Sequence, residues 1–234
     1  MAAGSSRATA GGGHPLRPRA SAPGGRGLIQ DWRVFEPLEL SPTLRGALEA
    51  FREHGYHGTS VRDVARRVGV TVPALYYHHQ SKQGMLVALL ELGIREVLDR
   101  ARLADTEGGD RVLQRFANVT ECVVLHMTHR VGMAVLHSEL RYLEPANRRR
   151  YAALRKELED RLLGILDDGV AEGLFDVTHL PDTNRALLGM WQSVAGWYHE
   201  DGPLSPEEIA DRYVEISLRT VGARVRPSGR GRAS

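Results

Sequence analysis

One cysteine and two lysines stand among 234 residues. A lone Cys122 permits no internal disulfide framework and fits a reducing compartment such as the cytoplasm. With lysine so scarce, arginine carries nearly all the positive charge, a bias assigned to coding rather than to function. No apolar run approaches the roughly 18 residues that a membrane-crossing helix needs. Strand-like alternation is missing, and so is self-similarity at any period of roughly 20–50 residues. There is no nucleophile elbow, no glycine loop to cradle phosphates and no Cys-x-x-Cys pair. These absences argue against secreted disulfide scaffolds, membrane proteins, repeat arrays and the common motif-bearing enzymes. They leave an all-α protein with no cofactor and no catalytic residues.

The net charge of +2 conceals an asymmetry. Arg7, Arg17, Arg19 and Arg26 precede residue 31, while Arg224, Arg226, Arg230 and Arg232 crowd the C-terminus, with no acid in either tail. Residues 1–30 are rich in Gly, Ala, Ser, Pro and Arg and lack the apolar core of a signal peptide, so they read as a disordered basic arm. Such an arm is suited to follow DNA or enter its minor groove, although an unselected low-complexity leader has the same composition. Residues 223–234 read as a disordered basic tail. Between 41 and 90, Arg45, Arg52, Arg62, Arg66, Arg67 and Lys82 face Glu49, Glu53 and Asp63. A basic head on a more acidic body suits a protein that reads DNA without coating it.

The head's local signals agree with one another. Leu44, Leu48 and Phe51 form one apolar stripe, after Ser41 as a cap and Pro42 in the first helical position. Gly55 marks the end of that helix. Thr59 or Ser60 caps a second helix that turns Val61, Val64, Ala65 and Val68 inward and Arg62, Arg66 and Arg67 outward. Gly69 permits a tight turn. Thr71 then caps a third helix, anchored by Leu75, leaving Val72, Pro73, Ala74, Tyr76, Tyr77 and His78 to face a ligand. Small residues let a helix press against base edges, and tyrosine hydroxyls reach phosphates. Ser81 caps a fourth helix, whose first amides and Lys82 make an anion site. This is a helix-turn-helix, with residues 41–88 as the DNA-binding unit.

The segment F-x-x-x-G-Y-x-G-T-S-V-R-D-V-A-x-x-V-G-V-T-x-x-A-L-Y-Y-H-x-x-S-K resembles the DNA-binding domain of TetR-family transcriptional repressors across roughly residues 42–90. The resemblance implies an all-helical fold of about nine helices, in which three read DNA and the rest bind an effector and dimerise. It also implies that Thr59, Arg62, Tyr76, Tyr77, His78 and Lys82 touch the operator. His79 replaces the usual packed aromatic, and Gln83-Gly84 replaces a commoner acidic pair.

Residues 89–222 read as an effector-binding and dimerising body. The spacing predicts helices from Lys82 to about Ala104, Asp110 to Arg130, Val131 to Leu143, Pro145 to Glu172, Asp182 to His199, and a last one after the strong start Ser205-Pro206-Glu207-Glu208. Gly189 and Gly196 interrupt an apolar helix rich in Trp191, Val194, Trp197 and Tyr198. Glycine inside a helix weakens it unless another helix approaches closely, which points to a homodimer through the last two helices. W-Q-S-V-A-G-W-Y-x-x-x-G-P-L-S-P-E-E-I-A is similar to the matching segment of regulators of this family that answer acyl-CoA thioesters. The expected effector is therefore an acyl-CoA or another hydrophobic small molecule, with Met127, Met133, Leu136, His137, Leu140 and Trp191 as pocket candidates. Arg148-Arg149-Arg150 suits a CoA phosphate, or simply a solvated face. Metal sensing through His126, His129, His137 and Glu139, oxidation of Cys122, and constitutive DNA binding without effector are the competing readings.

Overall fold

The computed structural model describes residues 29–79 and 81–224, and every regular element among them is helical. The elements are α1 (Pro42–Gly58), α2 (Val61–Arg67), α3 (Val72–His78), α4 (Lys82–Gly108), α5 (Val112–His129) and a short α6 (Val131–Ala134). A 3-10 stretch (Val135–Tyr142) leads to α7 (Pro145–Ala171), then α8 (Leu180–Gln192) with a 3-10 extension (Ser193–Gly196), and α9 (Pro206–Thr220). The expected basic arm and tail fall almost wholly outside the described residues.

The helix starts follow their caps. The hydroxyls of Ser41, Thr71 and Ser81 accept from the backbone N–H of Leu44, Ala74 and Gly84 at 3.3, 3.3 and 2.9 Å. Ser60, rather than Thr59, caps α2 through a reciprocal box with Asp63, and Ser205 does the same with Glu208 on α9. Each such cap contributes on the order of 1 kcal/mol. Two helices differ from expectation. α8 begins at Leu180, with Asp182 inside its first turn, and ends at Gln192, so Trp197 and Tyr198 lie beyond it. The Val131–Leu143 helix is mostly 3-10, a tighter winding common in short connectors.

The head packs α1 to α3 around Ala47, Phe51, Val64, Ala65 and Leu75. α1 and α2 pass so close that a Cβ on Gly46 would stand 2.3 Å from Val68 Cγ1. In the body α4 and α5 lie along each other, α9 covers α5, and α7 bridges α4 and α8. Phe116, Leu162, Ile165 and Trp191 fill the interior.

Residues 29–40, for which the sequence offers no periodicity, form a strap along α4 and α5. Trp32 is 2% exposed and its indole Nε1 donates to Glu107 at 2.6 Å. An extended segment leaves carbonyls unpaired, and here buried arginines meet them. Arg100 donates to the carbonyls of Trp32 (3.0 Å) and Val34 (2.8 Å), and Arg130 to that of Glu36 (2.8 Å). Glu96 accepts from both guanidinium groups. Burial would raise the Glu96 carboxyl, yet the Arg130 hydrogen bond and the neighbouring positive charges hold it below the usual range. The Phe35 ring lies between the Arg100 guanidinium (3.7 Å) and the His129 imidazole (4.5 Å).

Candidate nucleic-acid interface and effector cavity

α3 is anchored chiefly by one side chain and presents most of the others. Leu75 is fully buried, while Pro73 and Ala74 are exposed and Val72 is half-buried. Tyr76 is 43% and Tyr77 86% exposed, which is unusual for rings of this size unless a partner covers them. Arg62 is exposed on α2, and Thr71 is exposed at the start of α3. The side chain of His78 lies outside the described residues. The result is an exposed surface whose N-terminal end carries small side chains and whose C-terminal end carries phenolic hydroxyls.

Two residues expected on that surface face elsewhere. Thr59 is 2% exposed, and its hydroxyl donates to the carbonyls of Ala50 and Gly55, each at 2.9 Å. The Lys82 ammonium sits over the Tyr56 ring at 4.2 Å and donates to the carbonyls of Tyr56 (2.7 Å) and Thr59 (2.8 Å). The cause is the end of α1, where Gly55 at φ 69 breaks the helix and strands its last carbonyls. Thr59 and Lys82 supply the missing donors. Partial burial lowers the Lys82 ammonium from its ordinary value.

Gln83 has a role that the sequence did not reveal. Its amide nitrogen donates to Tyr56 Oη (3.3 Å) and the Tyr142 carbonyl (3.1 Å), while its oxygen accepts from the Glu144 N–H (2.9 Å). With Tyr142 stacked on Tyr56, it ties the head to the connector before α7. The signal available was the departure from an acidic pair at 83–84; a neutral amide can both donate and accept, as this junction requires.

The pocket candidates divide. Met127, Met133 and His137 line an internal cavity with Leu90, Ile94, Val97, Val123, His126 and Gln192. Its volume is about 20 Å³, room for roughly one water. Leu136, Leu140 and Trp191 do not line it. Leu136 and Trp191 are in the core, and Trp191 Nε1 donates to Ser217 Oγ at 2.9 Å. Leu140 packs half-buried against the core. His126 and His137 are both driven toward the neutral form by burial, to about 3 and about 4. His137 Nε2 shares a hydrogen bond of 2.9 Å with Tyr151 Oη. Among the described residues no three His, Cys, Asp or Glu side chains gather where they would hold a metal ion. Cys122 is buried, and burial pushes its thiol up, away from the reactive thiolate. In the arginine run, Arg150 pairs with Glu91, and Arg148 donates to the Arg141 carbonyl at 2.8 Å. No helix among the described residues is long and apolar enough to cross a membrane.

A presented α3 on a three-helix platform, joined through one long helix to a helical body with an internal cavity, defines a DNA-binding transcriptional regulator of the helix-turn-helix class. The profile described as bacterial regulatory proteins, tetR family, matches residues 44–89, and that described as tetracyclin repressor-like, C-terminal domain, matches 109–221. The HTH-type transcriptional repressor KstR2 of Rhodococcus jostii (strain RHA1) is 28% identical over 193 residues, covering 80% of this chain and 89% of that one. The TetR family transcriptional regulator PfmR from Thermus thermophilus superposes with a TM-score of 0.70 at 29% identity, over 76% of this chain and 97% of that one. The ketosteroid transcriptional regulator KstR2 of Mycobacterium tuberculosis shares the fold, with a TM-score of 0.67 at 24% identity over 78% and 94% of the two chains. The chain belongs to the TetR family of transcriptional regulators.

Proposed function

We propose that the chain is a cytoplasmic, non-enzymatic repressor that grips its operator as a homodimer and lets go when a small hydrophobic molecule or acyl-CoA enters the body. The observation that carries this is the outward display of Tyr76 and Tyr77 on a helix anchored by Leu75. Val72, Pro73 and Ala74 read base edges, while Arg62, Thr71, Tyr76, Tyr77 and His78 hold phosphates or flanking bases. Thr59 and Lys82 support the platform instead. The relatives that are repressors, one of them named for ketosteroids, favour release by a bulky apolar effector.

The dimer face is assigned to α8 and α9. A Cβ on Gly189 or Gly196 would meet nothing within 4 Å, and Trp197 (45% exposed) and Ile216 (44%) stand out nearby. Two copies of this face build a four-helix contact. The cavity must widen to take an effector. Met127 and Met133, with flexible unbranched side chains, are able to rearrange for this. Expansion between α4 and α5 then moves α4, and with it the head, so that occupied and empty states differ in the spacing of the two reading helices.

The decisive experiment is operator binding by the full chain with Gly189→Leu, Tyr77→Ala and a panel of acyl-CoAs, free acids and apolar drugs. Loss of dimer with Gly189→Leu, loss of binding with Tyr77→Ala and release by one class of compound are expected. A monomeric wild type, or operator affinity indifferent to Tyr77, overturns the proposal.

A further inference from the structure

The interior cavity is apolar on most sides, but it is not chemically blank. Ile94, Val97, Met127 and their apolar neighbours would accept a hydrocarbon body, whereas His126 and His137 bring polar side chains to the same lining. His137 already has the Tyr151 hydroxyl at 2.9 Å. His126 differs. It is 3% exposed, and its Nδ1 is buried with no hydrogen-bond partner.

An orphaned polar atom this deep is costly, and few survive in folded proteins without a reason. Water relieves such an atom only where two to four polar partners surround it, and this lining is mainly apolar. A ligand atom does so directly. We infer that the cavity recognises an apolar molecule carrying an uncharged hydrogen-bonding group, a ketone or hydroxyl, which pairs with Nδ1 of His126 while the hydrocarbon fills the Leu, Ile, Val and Met lining. The inference rests on the effector-responsive reading above and adds the chemistry of the effector's inner end.

Charge selects against a carboxylate at that point. His126 feels the Glu96 carboxylate on α4 as well as Arg130, Arg100 and His137, and burial keeps its ring neutral. A neutral imidazole offers a carboxylate one hydrogen bond and no compensating charge, whereas stripping water from the carboxylate is expensive. A ketone or hydroxyl loses far less on entry. His126 thus lines the cavity and also lies within electrostatic reach of the Glu96–Arg100–Arg130 cluster that holds the strap.

Three ten-carbon probes of one shape separate the possibilities: 4-phenyl-2-butanone, butylbenzene and 4-phenylbutanoate, titrated into the full-length chain by calorimetry. The ketone-to-hydrocarbon affinity ratio is expected to fall about three- to tenfold in His126→Leu, the worth of one neutral hydrogen bond. His126→Gln, which keeps a hydrogen-bonding head, restores most of it. The wild-type comparison needs no variant, and there the carboxylate should bind weakest. A ratio unmoved in His126→Leu, a preference for the carboxylate, or no binding of any probe overturns the inference. Operator release by another compound, indifferent to His126, would sink this inference and leave the regulator reading intact. An operator complex blind to every compound tested would sink both.

Discussion

The head and the body of this molecule place polarity in opposite ways. In the head, large rings point outward: Tyr76 and Tyr77 are exposed, and the polar groups within, Thr59 and Lys82, serve the backbone. In the body, charge lies inside. Glu96 and Arg100 are buried, Arg130 is nearly so, and two histidines stand neutral among apolar side chains. An exposed ring leaves most of its surface open to solvent or to a second molecule, whereas a buried ion cluster is committed to the chain itself, here the strap. Exposure in one region and interment in the other are thus signs of binding to DNA and of self-tethering, respectively.

The largest effect tests the tether. Arg100→Ala leaves Glu96 with one guanidinium fewer and the carbonyls of Trp32 and Val34 unmet. Breaking a buried pair in this way should cost about 3–5 kcal/mol in urea unfolding. A loss below about 1 kcal/mol, the scale of an exposed pair, would make the cluster no different from the surface.

The neutral histidines sharpen the contrast through pH. Folding lowers His126 to about 3 and His137 to about 4 from an ordinary 6.5. Across the window from about 6.5 down to about 4 the unfolded chain therefore binds more protons, and stability falls as pH falls. The slope should approach 1.4 kcal/mol per pH unit for each histidine, and His137→Phe should make it shallower. Stability flat over that window would mean that neither ring is held neutral.

On the head, Tyr77→Ala should weaken specific operator binding about tenfold, close to 1.4 kcal/mol, with a nearly unchanged melting temperature because the ring is solvated. Thr59→Ala should do the reverse. It removes a hydroxyl serving two carbonyls and should lower stability by about 1 kcal/mol, while the folded fraction binds operator as before. If the two phenotypes are exchanged, the division of the head into support and display is wrong.

The head was legible in the sequence because its signals are local. Ser41, Thr71 and Ser81 act within three residues, Gly69 needs only its own φ of 70, and Leu75 follows from helical spacing. What escaped depends on distance along the chain. Arg100 meets Trp32 across 68 residues, Arg130 meets Glu36 across 94, and no periodicity announces either. Thr59 and Lys82 were misplaced for the same reason, since their acceptors belong to a helix end whose orphaned carbonyls become apparent only once the chain has folded. In the body, Met127, Met133 and His137 lie at the cavity, but spacing could not distinguish Trp191, which looks equally apolar and is committed to Ser217.

The strap also marks a pole of the body. Trp32 is pinned at Glu107, near the end of α4, and α4 begins at the head and is about 40 Å long at 1.5 Å per residue. The start of the strap therefore lies at the pole of the body opposite the reading helix. A fluorophore attached beside Trp32 would sit remote from bound DNA and report on the body's own movements.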